Sequence, residues 1–295
     1  MGGPACLVID TLPCFAQFDD VWPMVRSLLQ KLEQRYSRYR PDSLVSMINR
    51  RAGSKRFTPV DEETLGLLDF AEQLWKASEG LFDITSGPLR RAWHFQGVGS
   101  VEPEQIPSAV ELVGWHHVKR EAASVLLPLK GMEIDLGGLV KEYAVDSAIH
   151  LMREAGVRSA MLELAGDVGV LGSQASGHPW PIGIRDPFQP GNICTLNLSD
   201  ASVATSGNYE RKVTFGGKNY GHLLDPSSGW PIEGPVSVSV ISENCLTAGA
   251  VSTVACLHEE DKAIQWLEEA NLPWLMVNQL GGTSGPIASD FSKFT

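Results

Sequence analysis

Residues 134–146 read Ile-Asp-Leu-Gly-Gly-Leu-Val-Lys-Glu-Tyr-Ala-Val-Asp. Apolar side chains alternate at Met132, Ile134 and Leu136, which is the two-residue period of a strand. After Gly137-Gly138 the period changes. Val140, Ala144, Ala148, Leu151, Met152 and Ala155 recur at helical spacing, and Gly156 supplies the stop. A strand, a glycine turn and a helix start together make a seat for a phosphate, because the first helical N–H groups lack intrahelical partners and the helix dipole favours negative charge there. Two glycines let a ligand approach the backbone. Asp135 before the turn and Lys141 after it offer an acceptor and a cation. A plain strand-to-helix connection with ordinary surface charges accounts for the same residues, so this stretch speaks first to fold.

Working outward, Cys6 to Asp10 reads as a strand. Val21, Val25, Leu28, Leu29, Leu32 and Tyr36 predict an amphipathic helix over about 20–36. Ser37 to Ser43 is a turn, and Asp42 or Ser43 caps a short helix ending near Asn49. Asp61 starts another helix, stopped by Gly80, and Leu81 to Leu89 reads as an apolar strand entering a loop. Downstream, strands are expected at Ser159 to Leu164, Val168 to Leu171, Pro181 to Ile184, Cys194 to Leu198, His222 to Leu224, Val236 to Ile241 and Trp274 to Val277. Val213 to Phe215, the Gly216-Gly217 turn and Tyr220 suggest a hairpin. Ala204 to Arg211 reads as a polar loop. Thr247 to Leu257 is a helix of small residues, and a last helix lies near Glu260 to Ala270. The fold class is α+β: a mixed, largely antiparallel sheet with packed helices, in a single domain over 1–295.

The chain has 295 residues and a formal net charge of -11. An acidic chain without a basic run is a poor candidate for nucleic-acid or anionic-membrane binding. It leaves room for a phosphorylated ligand, since a local pocket can oppose the global field. The five cysteines are odd in number and form no C-x-x-C pair, which fits incidental thiols or a reducing compartment better than a disulfide framework. No apolar run spans a bilayer, and no transmembrane segment is expected. The start, Met1-Gly2-Gly3-Pro4-Ala5-Cys6, has neither a positive n-region nor an h-region. The expected location is cytoplasmic for the chain as given, and periplasmic or membrane-anchored if an export signal was trimmed. Trp93, His94, Trp115, His116 and His117 lack the helical pair spacing of a zinc site and read as packing.

Taken in order, the motifs resemble the FAD:protein FMN transferase family, also known as the ApbE-like or "thiamine biosynthesis lipoprotein" family. The resemblance runs over nearly the whole chain. It opens at Met1-Gly2, continues through Ser37-x-Tyr39-x-x-x-Ser43 to Asn49, and then Gly80-x-Phe82-Asp83-x-Thr85 to Pro88-Leu89. Next come Asp135-Leu136-Gly137-Gly138 to Tyr143-Ala144 and Asp146, Thr205-Ser206-Gly207-x-Tyr209-Glu210, and His222-x-x-Asp225-Pro226-x-x-Gly229. The resemblance implies that FAD is cleaved at its pyrophosphate, AMP leaves, and FMN is joined by a phosphoester to a Thr or Ser of an acceptor protein, with magnesium assisting. It implies that Tyr39 stacks on a ring of the dinucleotide. Leu81, Phe82 and Asp83 wall it, and Asp135 and Lys141 hold it from either side of the glycine turn. Met1 and Leu223 match positions that contact FAD, and His222 matches the histidine near the reacting phosphate. The Gly138 carbonyl and the Thr253 hydroxyl match metal ligands. Asp146, Tyr209 and Asp225 read as architectural residues.

One departure bears on mechanism. The helix matching Thr247 to Leu257 usually carries an Asp one turn before the Thr. Here Gly249 precedes Thr253, and another acidic position of the family is Leu246. The usual Gly-Gly-Asp turn is Ala165-Gly166-Asp167. Without those carboxylates the metal should bind more weakly. Glu142 and Asp146, on the preceding helix, are acidic candidates that spacing alone does not place. The alternative is therefore a protein that binds FAD without transferring FMN, or an FAD pyrophosphatase.

Overall fold

In the computed structural model of this chain, which describes residues 3–11, 18–95, 99–209 and 212–289, Met132, Ile134 and Leu136 are all buried. Their backbone nevertheless forms no strand of a sheet, a correction to the strand expected there; one parallel bridge joins Glu133 to Ser86. The Asn49 side chain takes the part of a neighbouring strand instead. Its Oδ1 accepts from the Ile134 N–H at 2.8 Å and its Nδ2 donates to the Ile134 carbonyl at 3.0 Å. The Asp135 N–H adds a bond to the Ile84 carbonyl at 2.7 Å.

Except at Ile106–Val110 and Pro286–Ser289, the helices follow the expected periods. They are α1 (Phe18–Tyr36), α2 (Leu44–Arg50), α3 (Glu62–Ala77), the short α4 (Ile106–Val110), α5 (Val140–Glu154), α6 (Cys245–Cys256) and α7 (Glu260–Ala270). Among the described residues no helix is long and apolar enough to cross a membrane. A seven-stranded sheet runs in the order Ala5–Thr11, Ser159–Leu164, Asp167–Leu171, Ser202–Gly207, Ser237–Ser242, Trp274–Val277 and Thr283–Ser284, and every pairing in it is antiparallel. Helices α1, α5 and α6 join the main core on one face, with Ala160, Leu162, Ala204, Val238, Val240 and Met276. The Trp180–Arg185 and Asn192–Leu198 hairpin covers the other face, over Val168, Val170, Val203, Ile241 and Leu275. Burial on both faces explains why Val168 to Leu171 and Trp274–Val277 are nearly continuous apolar runs.

Three further expectations change. Leu81 to Leu89 is not a strand; it turns, then forms a 3-10 segment at Gly87–Arg91. The Asp83 carboxylate captures the Thr85 N–H and hydroxyl, a local bond that competes with a sheet ladder. Ala204 to Gly207 is a central strand rather than a loop, in register with Ser237–Ser242. Its polar side chains are tolerated because Thr205 bonds Ser239 and Ser206 bonds α6. His222 to Leu224 contributes only a bridge, Leu224 to Pro231. The Lys212–Phe215 and Lys218–Gly221 hairpin is present, with Gly216 and Gly217 at φ 58° and 78°, the signs a type I′ turn requires.

Asp61 caps α3. Its Oδ1 accepts from the Thr64 N–H at 3.0 Å and hydroxyl at 2.6 Å, and its Oδ2 pairs with Arg35 at 2.5 Å. Burial pushes this carboxyl up, but the bonds from Thr64 and Arg35 outweigh it and hold the group below its ordinary value. A lowered carboxyl stabilises the fold above its unfolded value and loses that contribution as pH falls through the folded one. Asp61→Ala should therefore cost about 1 kcal/mol at pH 7, and the gap to wild type should narrow as pH falls below about 4. Urea unfolding at a series of pH values checks this; a gap that stays constant down to pH 3 would reject the charge-dependent part.

Candidate functional site

The turn before α5 is held by its own residues. The Leu139 and Val140 N–H groups donate to the Leu136 carbonyl and the Tyr143 N–H to the Leu139 carbonyl. Among the described residues the Gly138 carbonyl between them takes none of these bonds. The Asp135 Oδ1 accepts from the Gly137 N–H at 2.9 Å, so that amide is used inside the turn. The donors left to a ligand are those of the first helical turn that follows. Phe82 is buried with its ring against Gly138: a Cβ there would lie 3.3 Å from Cε2. Leu81 is half-buried beside it. Asp83 is committed internally, since Oδ1 holds Thr85 and Oδ2 accepts from the Trp115 N–H at 2.9 Å. It shapes the wall rather than facing outward.

The Asp135 Oδ2 faces Arg38 at 3.2 Å and Arg90 at 3.5 Å. Glu133 pairs with Arg38 and with Arg91, each at 2.6 Å. Three guanidiniums stand against two carboxylates, which leaves one positive charge beside the glycine turn, suited to an anion. Tyr39 is 68% exposed, with the Arg38 guanidinium 5.9 Å from its ring centre. An exposed ring next to that cation is available for stacking.

On the other side of the turn, the Lys141 ammonium donates to Asp167 and lies 3.3 Å from the Glu142 Oε1. Asp167 is buried, and its Oδ1 accepts from the Thr205 N–H at 3.2 Å. The Asp146 oxygens accept from the Cys245 and Leu246 N–H groups at 2.6 and 2.8 Å, fixing the start of α6 against α5. Burial pushes the Asp146 carboxyl up, those two backbone bonds oppose the push, and the Glu142 charge adds to it. Cys245, buried beside both, is raised well above its usual value by burial first and by the Glu142 and Asp146 charges second.

A chain of hydroxyls then fixes Thr253. The Ser252 Oγ donates to the Gly249 carbonyl at 3.1 Å, so its proton is used. Ser206, 2.9 Å away, must donate to Ser252, and Thr253, 2.8 Å from Ser206, must donate to Ser206. A hydroxyl has one proton and two lone pairs, so both lone pairs of the Thr253 Oγ1 stay available to a cation.

His222 is half-buried after the Lys218–Gly221 strand, edge-to-face with Phe95 at 6.4 Å. The next residue is pinned: the Leu223 N–H donates to the Asn208 Oδ1 at 3.2 Å, and the Leu223 carbonyl accepts from the Ile232 N–H at 3.0 Å. Asp225 holds Ser227 and Ser228 in the turn that follows. Ser206 and Asn208 lie two residues apart, roughly 7 Å along an extended backbone. That segment therefore couples Thr253 to the His222 loop. A cavity of ≈ 220 Å³ opens beside the hairpin between Asn208, Lys218 and Tyr220.

The structure thus gathers Phe82, Gly138, Asp135 and, through Arg38, Tyr39 at the turn, and links Lys141 and Thr253 to it through α5 and α6. His222 and Leu223 lie across the 206–208 segment. Met1 falls outside the described residues. Sequence reading had not singled out Arg38, Arg90, Asp167, Ser206 or Asn208 as functional. Arg38, Ser206 and Asn208 lie inside quoted motifs, and Asp167 ends the quoted glycine turn, so adjacency was the signal available.

The model of the ApbE family matches residues 10–276. A Chlamydia pneumoniae protein named FAD:protein FMN transferase is 32% identical over 251 residues, covering 82% of this chain and 78% of the relative. The Vibrio cholerae protein of the same name is 29% identical over 259 residues, covering 85% and 77%. Among solved structures, the flavin transferase ApbE from Vibrio cholerae superposes with a TM-score of 0.88 at 26% identity, covering 100% of this chain and 96% of that one.

Proposed function

Because the chain belongs to the ApbE family, we propose that it is an FAD:protein FMN transferase whose reaction centre lies between the Gly137-Gly138 turn and His222. The hydroxyl relay at the end of the Ser202–Gly207 strand carries this reading. It leaves the Thr253 lone pairs available to a cation and ties Thr253, through Ser206 and Asn208, to the His222 loop.

In this assignment the FAD pyrophosphate lies along the start of α5. The positive charge left by Arg38, Arg90 and Arg91 favours it there, and Lys141, paired with Asp167 and Glu142, stands in the first turn of α5. Tyr39 stacks on a ring of the dinucleotide, Phe82 and Leu81 wall it, and Leu223 closes the far side. The acceptor's Thr or Ser hydroxyl attacks the FMN-side phosphorus, the bridging P–O bond breaks, and AMP departs with the bridging oxygen. His222 takes the hydroxyl proton as the new phosphoester forms. The Gly138 carbonyl and Thr253 hydroxyl are oxygen ligands of the kind magnesium takes together with substrate phosphates. Magnesium bound there would offset pyrophosphate charge and polarise the phosphoryl group.

The test is the intact mass of an acceptor domain incubated with this protein, FAD and magnesium. One added FMN mass is expected, and chelation with EDTA should abolish it until magnesium is restored. An unchanged acceptor mass across magnesium and manganese titrations, with FAD still bound, would return the protein to the binding-only alternative.

A further inference from the structure

We propose that Glu142 is the carboxylate ligand of the divalent cation at this site, reaching in from α5 over the place where α6 carries only Gly249. The proposal rests on the transferase reading for the phosphates that complete the ion's shell. The geometry is a replacement of one carboxylate position by another. A Cβ built on Gly249 would lie 2.4 Å from the Glu142 Cγ, 3.1 Å from its Cδ and 3.2 Å from its Oε1. The Glu142 side chain therefore fills the space into which a side chain at 249 would project. Gly249 and Thr253 are one helical turn apart on the same face, so the carboxylate lies on the face that bears the Thr253 hydroxyl.

Glu142 is 5% exposed, and its Oε2 has no hydrogen-bond partner among the described residues. A buried carboxylate oxygen left in that state is costly unless it is paired or coordinates a metal. Lys141 does not meet the need, because it approaches only Oε1 and its ammonium is shared with Asp167. Glu142, Asp146 and Asp167 set three acidic groups against one ammonium; with all ionised, a divalent cation would cancel the excess. Among the described residues no three His, Cys, Asp or Glu side chains converge as a metal cluster. The site is thus one carboxylate, one hydroxyl and one carbonyl, which suits a hard cation that keeps waters and substrate phosphates in its shell.

Manganese, read by the EPR signal of the free ion, tests this in the presence of FAD with wild type, E142Q and the double variant E142A/G249D. E142Q should bind Mn2+ at least about tenfold more weakly, while FAD affinity in metal-free buffer is retained. E142A/G249D removes all three overlapping atoms and puts a carboxylate back on α6, so affinity should return to within about threefold of wild type. An unchanged Mn2+ affinity in E142Q overturns the proposal. A crystal of the wild type with FAD and Mn2+ gives an independent reading that needs no variant. The anomalous peak should lie at bonding distance from a Glu142 oxygen, and a peak more than about 4 Å away overturns the assignment. If Mn2+ sits on Glu142 but the acceptor never gains FMN, the transferase reading falls and the ligand assignment stands.

Discussion

Replacing His222 by alanine is expected to slow FMN transfer by roughly 10²- to 10⁴-fold while leaving FAD affinity within about a factor of three. The backbone around His222 has anchors that do not involve its imidazole. Asn208 fixes Leu223, Ile232 closes onto the Leu223 carbonyl, and Asp225 organises the following turn through Ser227 and Ser228. Removing the ring therefore removes a proton acceptor while these anchors remain. A group that acts on the acceptor's hydroxyl contributes when that bond breaks and not when FAD binds, so the loss belongs in the transfer rate. Time courses of acceptor mass, paired with FAD titrations by fluorescence, separate the two quantities. If binding and rate fell by the same factor, His222 would be a structural residue.

The sequence carries local information well and long-range compensation poorly. The 3.6 period placed α1, α3 and α5, and Asp61 and Ser43 cap α3 and α2 through their own side chains, as short polar residues do. The alternation at Met132, Ile134 and Leu136 reported burial correctly but not pairing, because the partner is the Asn49 amide rather than a strand. The Ser202–Gly207 strand hid its central position behind polar side chains. Their hydroxyls are satisfied by Ser239 and by Ser252 and Thr253, contacts that lie far along the chain. The site divides in the same way. His222, Gly138 and Thr253 sit inside legible motifs, and Gly249 read as a missing carboxylate. That Glu142 fills the space over it is a contact between two helices, which no spacing within either helix could show.

Trp93 is the position where folding and transfer should fail together. Its side chain is 1% exposed, its Nε1 donates to the Gly229 carbonyl at 2.8 Å, and its ring meets Trp230 at 5.4 Å and Tyr220 at 5.6 Å. It centres a small core with Ala92, Ile106 and Val213 that is separate from the main one. Trp93→Ala should cost roughly 3–5 kcal/mol, since it removes a buried indole and leaves a cavity. Trp93→Phe should cost about 1–3 kcal/mol, chiefly for the Gly229 carbonyl left without its donor. Because the cluster is a satellite, the loss should appear first as local opening. Hydrogen exchange at Lys212–Gly221 and at 223–232 should accelerate before the central sheet does. That hairpin and turn flank His222, so Trp93→Ala should slow transfer in step with the opening, whereas His222→Ala slows it with exchange unchanged. A Trp93→Ala protein with wild-type exchange in the hairpin would show that the His222 loop is held by Asn208 and Asp225 alone.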